Sequence, residues 1–420
     1  MRRIKGARDL IFDGIEAVTD LVEKTHVDVA RRWTDRVGLV QGAQPIAESV
    51  HGVHMAGAAM NYEAVRLVSR GVGAVLRTVT DPLLADGPEA ATPLCQDAQG
   101  TLPWVLDHVE GTLNGFVGDH LARRGNRLDL GMHLRRDGRP VESGELPQVL
   151  STATPRVVVF VHGLSATEWS WVVDAERAWG DPSTCYATKL EEDLGVTSLF
   201  VRYNTGRHIS DNGRALSALL DDLVARYPVP VESLALVGHS MGGLVARSAA
   251  HAGATSGAGW TAHLRDVFCI GSPHLGAPLE KGAHLLGAVL RRIPAAGATV
   301  PAAVLGVRSE GIKDLRFGYT TESEWGGEDP DAFLDDNRHD VPLVDGVTYT
   351  ALGGVFTRDP EHPAGQLLGD LLVRRASAAG EAPDAERSVR FHVRETFAGM
   401  NHLHLANHPD VYEALRKALA

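Results

Sequence analysis

The chain has 420 residues, 44% of them hydrophobic and 22% charged, enough apolar surface for one large globular domain or two of ordinary size. Its formal net charge of −12 argues against a nucleic-acid partner, since a polyanion would be repelled. Three cysteines, Cys95, Cys185 and Cys269, are too few and too scattered for a disulfide framework or a zinc site. No apolar secretory segment or membrane-length run is visible, so the expectation is a cytoplasmic protein, with peripheral membrane association left open.

The first 125 residues read as a helical region. Ile11, Ile15, Val18, Val22, Thr25 and Val29 recur at three- and four-residue steps and predict a helix over residues 8–33. A second such pattern runs from Tyr62 to Arg77. A Pro- and Gly-containing loop covers residues 80–101, and a third helix starts near Pro103 and carries Trp104, Leu106, Val109, Leu113, Phe116, Val117 and Leu121. The polar faces of these helices are acidic or mixed. That favours packing against protein over lying on a membrane.

From residue 126 the pattern changes. Leu128–Leu134 reads as a strand entering an Asp137-Gly138 hairpin turn. Val157–Val161 is an unbroken apolar run, as expected of a central strand buried on both faces. Strand-like runs follow at Ser198–Tyr203, Leu234–Val237, Val267–Ile270, Val347–Leu352 and Ser388–Val393. Helical patterns such as Gly213–Tyr227 lie between them. The alternation predicts an α/β fold with a mostly parallel sheet over residues 126–420. Residues 274–340 exceed an ordinary crossover and include a helix-like Leu285–Arg291. They read either as a lid or as a helical layer that extends the core.

The chemistry gathers around Gly238-His239-Ser240-Met241-Gly242. A short apolar strand precedes it. A helical pattern follows, with Leu244, Val245 and Ala249 on one side and Arg247 turned to the other. Strand, Gly-x-Ser-x-Gly, helix is the context of a nucleophile elbow. A serine needs a base, and the base needs a carboxylate to hold its tautomer. In this arrangement the chain order is Ser, acid, His. The loop after the last strand offers His402, His404 and His408. His402 is preferred as first after Gly399-Met400-Asn401, with His404 as the alternative. Among Asp359, Glu361, Asp370 and Asp384, Asp370 stands out. It sits in the apolar stretch Leu367–Val373, where an unpaired carboxylate is costly. Two backbone N–H groups should hold the oxyanion: Met241 at the helix start, and Leu164 in the His162-Gly163-Leu164 turn that ends the first central strand.

These segments, with GSPHLGAP at 271–278, GDLLV at 369–373 and MNHLHL at 400–405, together resemble the α/β-hydrolase superfamily. Within it they look most like bacterial triacylglycerol lipases and PGAP1-like serine esterases, over roughly residues 126–420. The resemblance implies an α/β-hydrolase fold, a Ser240–Asp370–His402 triad and an oxyanion hole at Leu164 and Met241. It also implies a carboxylic ester hydrolase acting on lipid or acyl esters through an acyl-enzyme, chemistry that needs no cofactor; some lipases hold a structural calcium, but no acidic cluster in this sequence points to a metal site. The chain departs from the family twice. Leu371 stands where a glycine often follows the acid, and His404 where a carboxylate is usual. Two rival readings are an acyltransferase using the same triad and a non-catalytic scaffold on the hydrolase fold.

Overall fold

The computed structural model describes residues 2–38, 92–277, 309–325 and 337–420, together with positions 44, 48, 51, 55 and 74. Its strands are β1 (Met132–Arg136), β2 (Arg139–Val141), β3 (Arg156–Val161), β4 (Thr197–Tyr203), β5 (Ser233–His239), β6 (Leu264–Ile270), β7 (Thr348–Val355) and β8 (Val393–Ala398). They form one sheet in the order β2-β1-β4-β3-β5-β6-β7-β8. β1 runs antiparallel to β2 and to β4, and every other pairing is parallel. The β1–β2 hairpin turns at Asp137-Gly138, both with positive φ, as a two-residue hairpin loop requires.

Helices cover both faces of the sheet, which explains the unbroken apolar run of β3. Val157, Val159 and Val161 enter a core shared with α4 (Ile209–Arg226) and α5 (Met241–Ser256). Val158 and Phe160 point the other way, into a core shared with α3 (Tyr186–Leu194) and α7 (Pro409–Leu419). β5 divides in the same manner, Leu234 and Leu236 against Ala235 and Val237. The α/β-hydrolase layout read from the sequence is thus the observed one.

The last strand is displaced from its predicted position. Ser388–Val393 was expected, whereas β8 spans Val393–Ala398. β8 is an edge strand, paired only with β7 and exposed along most of its length, so its residues carry no apolar run. The apolar residues just before it do other work. Val389 bonds back to Gly380, and the Phe391 ring lies against His274.

The chain divides into two compact units, residues 1–88 with 124–128, and residues 89–123 with 129–420. The smaller holds α1 (Arg2–Gly38), a single helix longer than the predicted 8–33. There Arg2 Nη1 donates to the Arg127 carbonyl at 2.7 Å, and Asn126 Nδ2 donates to the Gly6 carbonyl at 3.2 Å. Helix α2 (Leu102–Arg123) was grouped by sequence with the N-terminal region ending at residue 125, but it lies in the larger unit. The reason is polar as well as apolar. Asp107 on α2 accepts from Arg202 of β4 at 2.9 and 3.1 Å and from the Trp169 indole at 2.8 Å, all buried. The predicted helix at 62–77 and most of the 274–340 insertion, Leu285–Arg291 included, lie outside the described residues. Within that insertion the structure describes α6 (Glu310–Leu315). No helix among the described residues is long and apolar enough to cross a membrane.

Candidate active site

β5 hands the chain to α5 through a turn that only glycine permits on both sides of Ser240. A Cβ on Gly238 would lie 2.4 Å from the Gly242 carbonyl, and one on Gly242 would lie 2.1 Å from the Val161 oxygen. Ser240 itself sits at φ 55, ψ −123, a conformation that costs an L-residue on the order of 1–3 kcal/mol. The turn is held by Ser240 N–H donating to the Ile270 carbonyl at 2.7 Å and by Gly243 N–H donating to the Ser240 carbonyl at 3.1 Å. The serine therefore caps the N-terminus of a 16-residue helix, where backbone N–H groups and the helix dipole favour developing negative charge.

The carboxylate and the imidazole meet as the sequence order anticipated. His402 Nδ1 lies 2.7 Å from Asp370 Oδ2, with both side chains almost fully buried. The two backbones are tied as well, His402 N–H donating to the Asp370 carbonyl at 3.0 Å. The other carboxylate oxygen, Oδ1, accepts from Leu372 N–H at 3.0 Å and Val373 N–H at 2.8 Å. Asp370 is thus fixed in rotation and presents one oxygen to the ring. The turn carrying it needs Leu371 at φ 81, so the residue that departs from the family's glycine takes a left-handed conformation.

His404 is not part of this array. Its ring lies 3.5 Å from Asp174 and 3.3 Å from the Asn401 amide. His408 caps α7, accepting from Asp410 N–H at 3.2 Å. The His402 ring packs beside Gly271, the residue after the one that anchors Ser240; a Cβ on Gly271 would lie 3.3 Å from its Cε1 and Nδ1. Neither Ser240 Oγ nor His402 Nε2 has a hydrogen-bond partner among the described residues. Contacts of this kind often tighten only when substrate is bound.

The turn after β3 comes close to the serine. A Cβ on Gly163 would lie 3.0 Å from the Ser240 Cβ. The N–H groups of Leu164 and Met241 make no hydrogen bond among the described residues. His162 fixes this turn from behind. Its Nε2 accepts from Tyr203 N–H at 3.4 Å, so its Nδ1 carries the proton and donates to the Gly163 carbonyl at 3.0 Å. Burial pushes its pKa down to about 4, which keeps the ring neutral at pH 7.

Several supporting residues carried no signal that the sequence reading used. His239, the variable position of the elbow, donates from Nε2 to the His402 carbonyl at 2.9 Å. Burial first, then the neighbouring His402 ring, pushes His239 down to about 3, so it acts as a neutral strut. Thr205 Oγ1 accepts from Ser165 N–H at 3.1 Å and backs the turn from the β4 side. In the same stretch Arg202 is buried with Glu168 and Asp107, and His208 pairs with Asp314 at 3.0 Å. Arg247 was expected on the open side of α5. It is instead 93% buried, its Nη1 donating to His274 Nδ1 at 3.1 Å.

Residues 152–296 match the family model described as the PGAP1-like alpha/beta domain. No curated protein matches the chain significantly. Among solved structures, the mature lipase BlEst2 of Bacillus licheniformis is 19% identical, with a TM-score of 0.38 over 63% of this chain and 92% of that one. Phospholipase PlaB of Legionella pneumophila is 16% identical, with a TM-score of 0.37 over 64% of this chain and 63% of the other. The mouse alpha/beta hydrolase domain-containing protein 10 is 13% identical, with a TM-score of 0.36 over 64% and 89%. Residues 152–296 are thus similar to the PGAP1-like alpha/beta domain, and the sheet that continues from them has the mostly parallel, helix-flanked layout of an α/β-hydrolase fold.

Proposed function

We propose that the protein is a serine hydrolase that cleaves carboxylic esters of acyl or lipid type through an acyl-enzyme. The observation that carries this reading is the buried Asp370–His402 pair, 2.7 Å apart, beside a serine raised on a strained turn at a helix N-terminus. Ser240 Oγ attacks the ester carbonyl while His402 Nε2 takes its proton. Asp370, bonded to the opposite ring nitrogen, holds the tautomer and stabilises the imidazolium. The N–H groups of Leu164 and Met241 receive the oxyanion. His402 then gives the proton to the leaving alcohol and activates the water that releases the acid.

The acyl or lipid preference is supported by an apolar wall next to Leu164. Phe116 and Val117 of α2 and Ile312 of α6 pack together with it. An acyl chain held at the oxyanion turn would lie along apolar side chains rather than charges. The test is fluorophosphonate labelling of the full chain, followed by hydrolysis of p-nitrophenyl esters of increasing chain length. Ser240→Ala should abolish both labelling and turnover. Labelling at undiminished level would remove the assignment.

A further inference from the structure

Behind the nucleophile helix lies a second polar centre that the ester chemistry does not use. Arg247 stands two turns along α5 from Ser240, 93% buried, and His274 follows β6, 97% buried. Arg247 Nη1 donates to His274 Nδ1, so the neutral ring carries its proton on Nε2. That Nε2–H is buried without an acceptor, and so is Arg247 Nε–H. No carboxylate lies within ion-pair distance of Arg247 among the described residues. A buried guanidinium without a counter-ion is among the costliest arrangements a fold can hold.

Both residues line a cavity of about 30 Å³, with Arg338, Arg387, Glu324 and Asp340 around it. Glu324 is already engaged, its Oε2 accepting from Thr320 N–H at 2.7 Å and Thr321 N–H at 2.8 Å. The cavity exceeds the roughly 10–15 Å³ that one water needs, yet it is far below a drug-sized pocket. Water would satisfy the two stranded N–H donors, but it would leave the charge.

We propose that this cavity is a binding site for one small monovalent anion, a chloride ion or the carboxylate head of a small acid, held by Arg247 Nε–H and His274 Nε2–H. The anion neutralises the buried Arg247 guanidinium and ties α5 to the loop after β6 and to the segments around residues 320, 340 and 388. The inference does not depend on the ester-hydrolase reading. It explains why an arginine is kept inside the helix that carries the serine.

The test compares melting temperatures of the full chain in sodium chloride, sodium formate and sodium gluconate at constant ionic strength. Gluconate is too large to enter. A saturable rise of about 1–3 °C is expected in chloride or formate and not in gluconate. A rise confined to chloride identifies a halide site, and one confined to formate a carboxylate site. Arg247→Gln should erase the difference between salts. Crystals soaked in bromide give a measurement that needs no variant: an anomalous peak within hydrogen-bond reach of Arg247 and His274 is expected if halide binds. Identical melting in all three salts, with no such peak, would overturn the proposal.

Discussion

Asp370→Asn puts the catalytic geometry to its sharpest test, because the substitution keeps shape and reverses one hydrogen bond. Oδ1 of Asp370 accepts two backbone N–H groups, from Leu372 at 3.0 Å and Val373 at 2.8 Å. An asparagine keeps its oxygen there, since turning the amide NH2 toward two donors would forfeit hydrogen bonds worth about 1–3 kcal/mol each. Its NH2 must then face His402 Nδ1, which lies 2.7 Å from the present oxygen. That nitrogen becomes an acceptor, the ring proton moves to Nε2, and Nε2 is no longer able to take the proton of Ser240. The expected loss is about 10³–10⁴ in kcat, equivalent to roughly 4–5 kcal/mol of transition-state stabilisation. KM should change little, because nothing in the exchange touches the substrate. The assay is steady-state hydrolysis of a p-nitrophenyl ester, with a melting curve to show that the turn is intact. A variant that melts like the parent and keeps kcat within tenfold would refute the role given to Asp370.

Three further outcomes are expected. His402→Ala should lose turnover by at least about 10³-fold while His404→Ala stays within a few-fold, because only the former meets a buried carboxylate; equal losses would reassign the base. Leu371→Gly should raise stability by up to about 1 kcal/mol in urea unfolding, since Leu371 is 45% exposed and held at φ 81; a destabilised variant would mean that the leucine packs more than its exposure suggests. Against the upward pull of burial, Arg202 and Arg135 hold the Glu168 carboxyl down to about 2. A depressed carboxyl contributes stability that is complete above its ordinary value and lost as pH falls toward the folded one. That contribution, on the order of 3 kcal/mol, should therefore disappear between about pH 4.5 and pH 2. Glu168→Gln should flatten the acid limb of the stability profile measured by urea unfolding, and an unchanged slope would contradict the assignment.

How much of this was legible beforehand depended on whether the determining contact was local. The elbow was, because Gly238, Ser240 and Gly242 are forced by contacts within five residues and one neighbouring strand. The strands buried on both faces were, because Val157–Val161 has no polar residue to mislead the eye. Asp370 was singled out by its apolar neighbours, yet the choice of His402 over His404 needed the bond across 32 residues. β8 was misplaced because edge strands lack the apolar signature that marks central ones. Arg247 was turned outward because helical spacing assigns a residue to a face without saying what covers that face. The Asp107–Arg202–Glu168 cluster joins positions up to 95 residues apart, and no periodicity reports such a meeting.

Helix α2 settles where the enzyme-like part of the chain can be cut. A Cβ on its Gly115 would strike Ser165 Oγ at 1.9 Å, so the helix lies directly on the turn that carries Leu164. Its Asp107 supplies part of the counter-charge for a buried arginine of the sheet. A fragment starting at residue 129 would retain every strand and all five residues assigned to catalysis. It would nonetheless leave Arg202 short of a partner and open a trench along the oxyanion turn. A fragment made to test the proposed chemistry should therefore begin upstream of the sheet, before residue 102. Protein engineers who trim to the first strand would be removing the floor of the site.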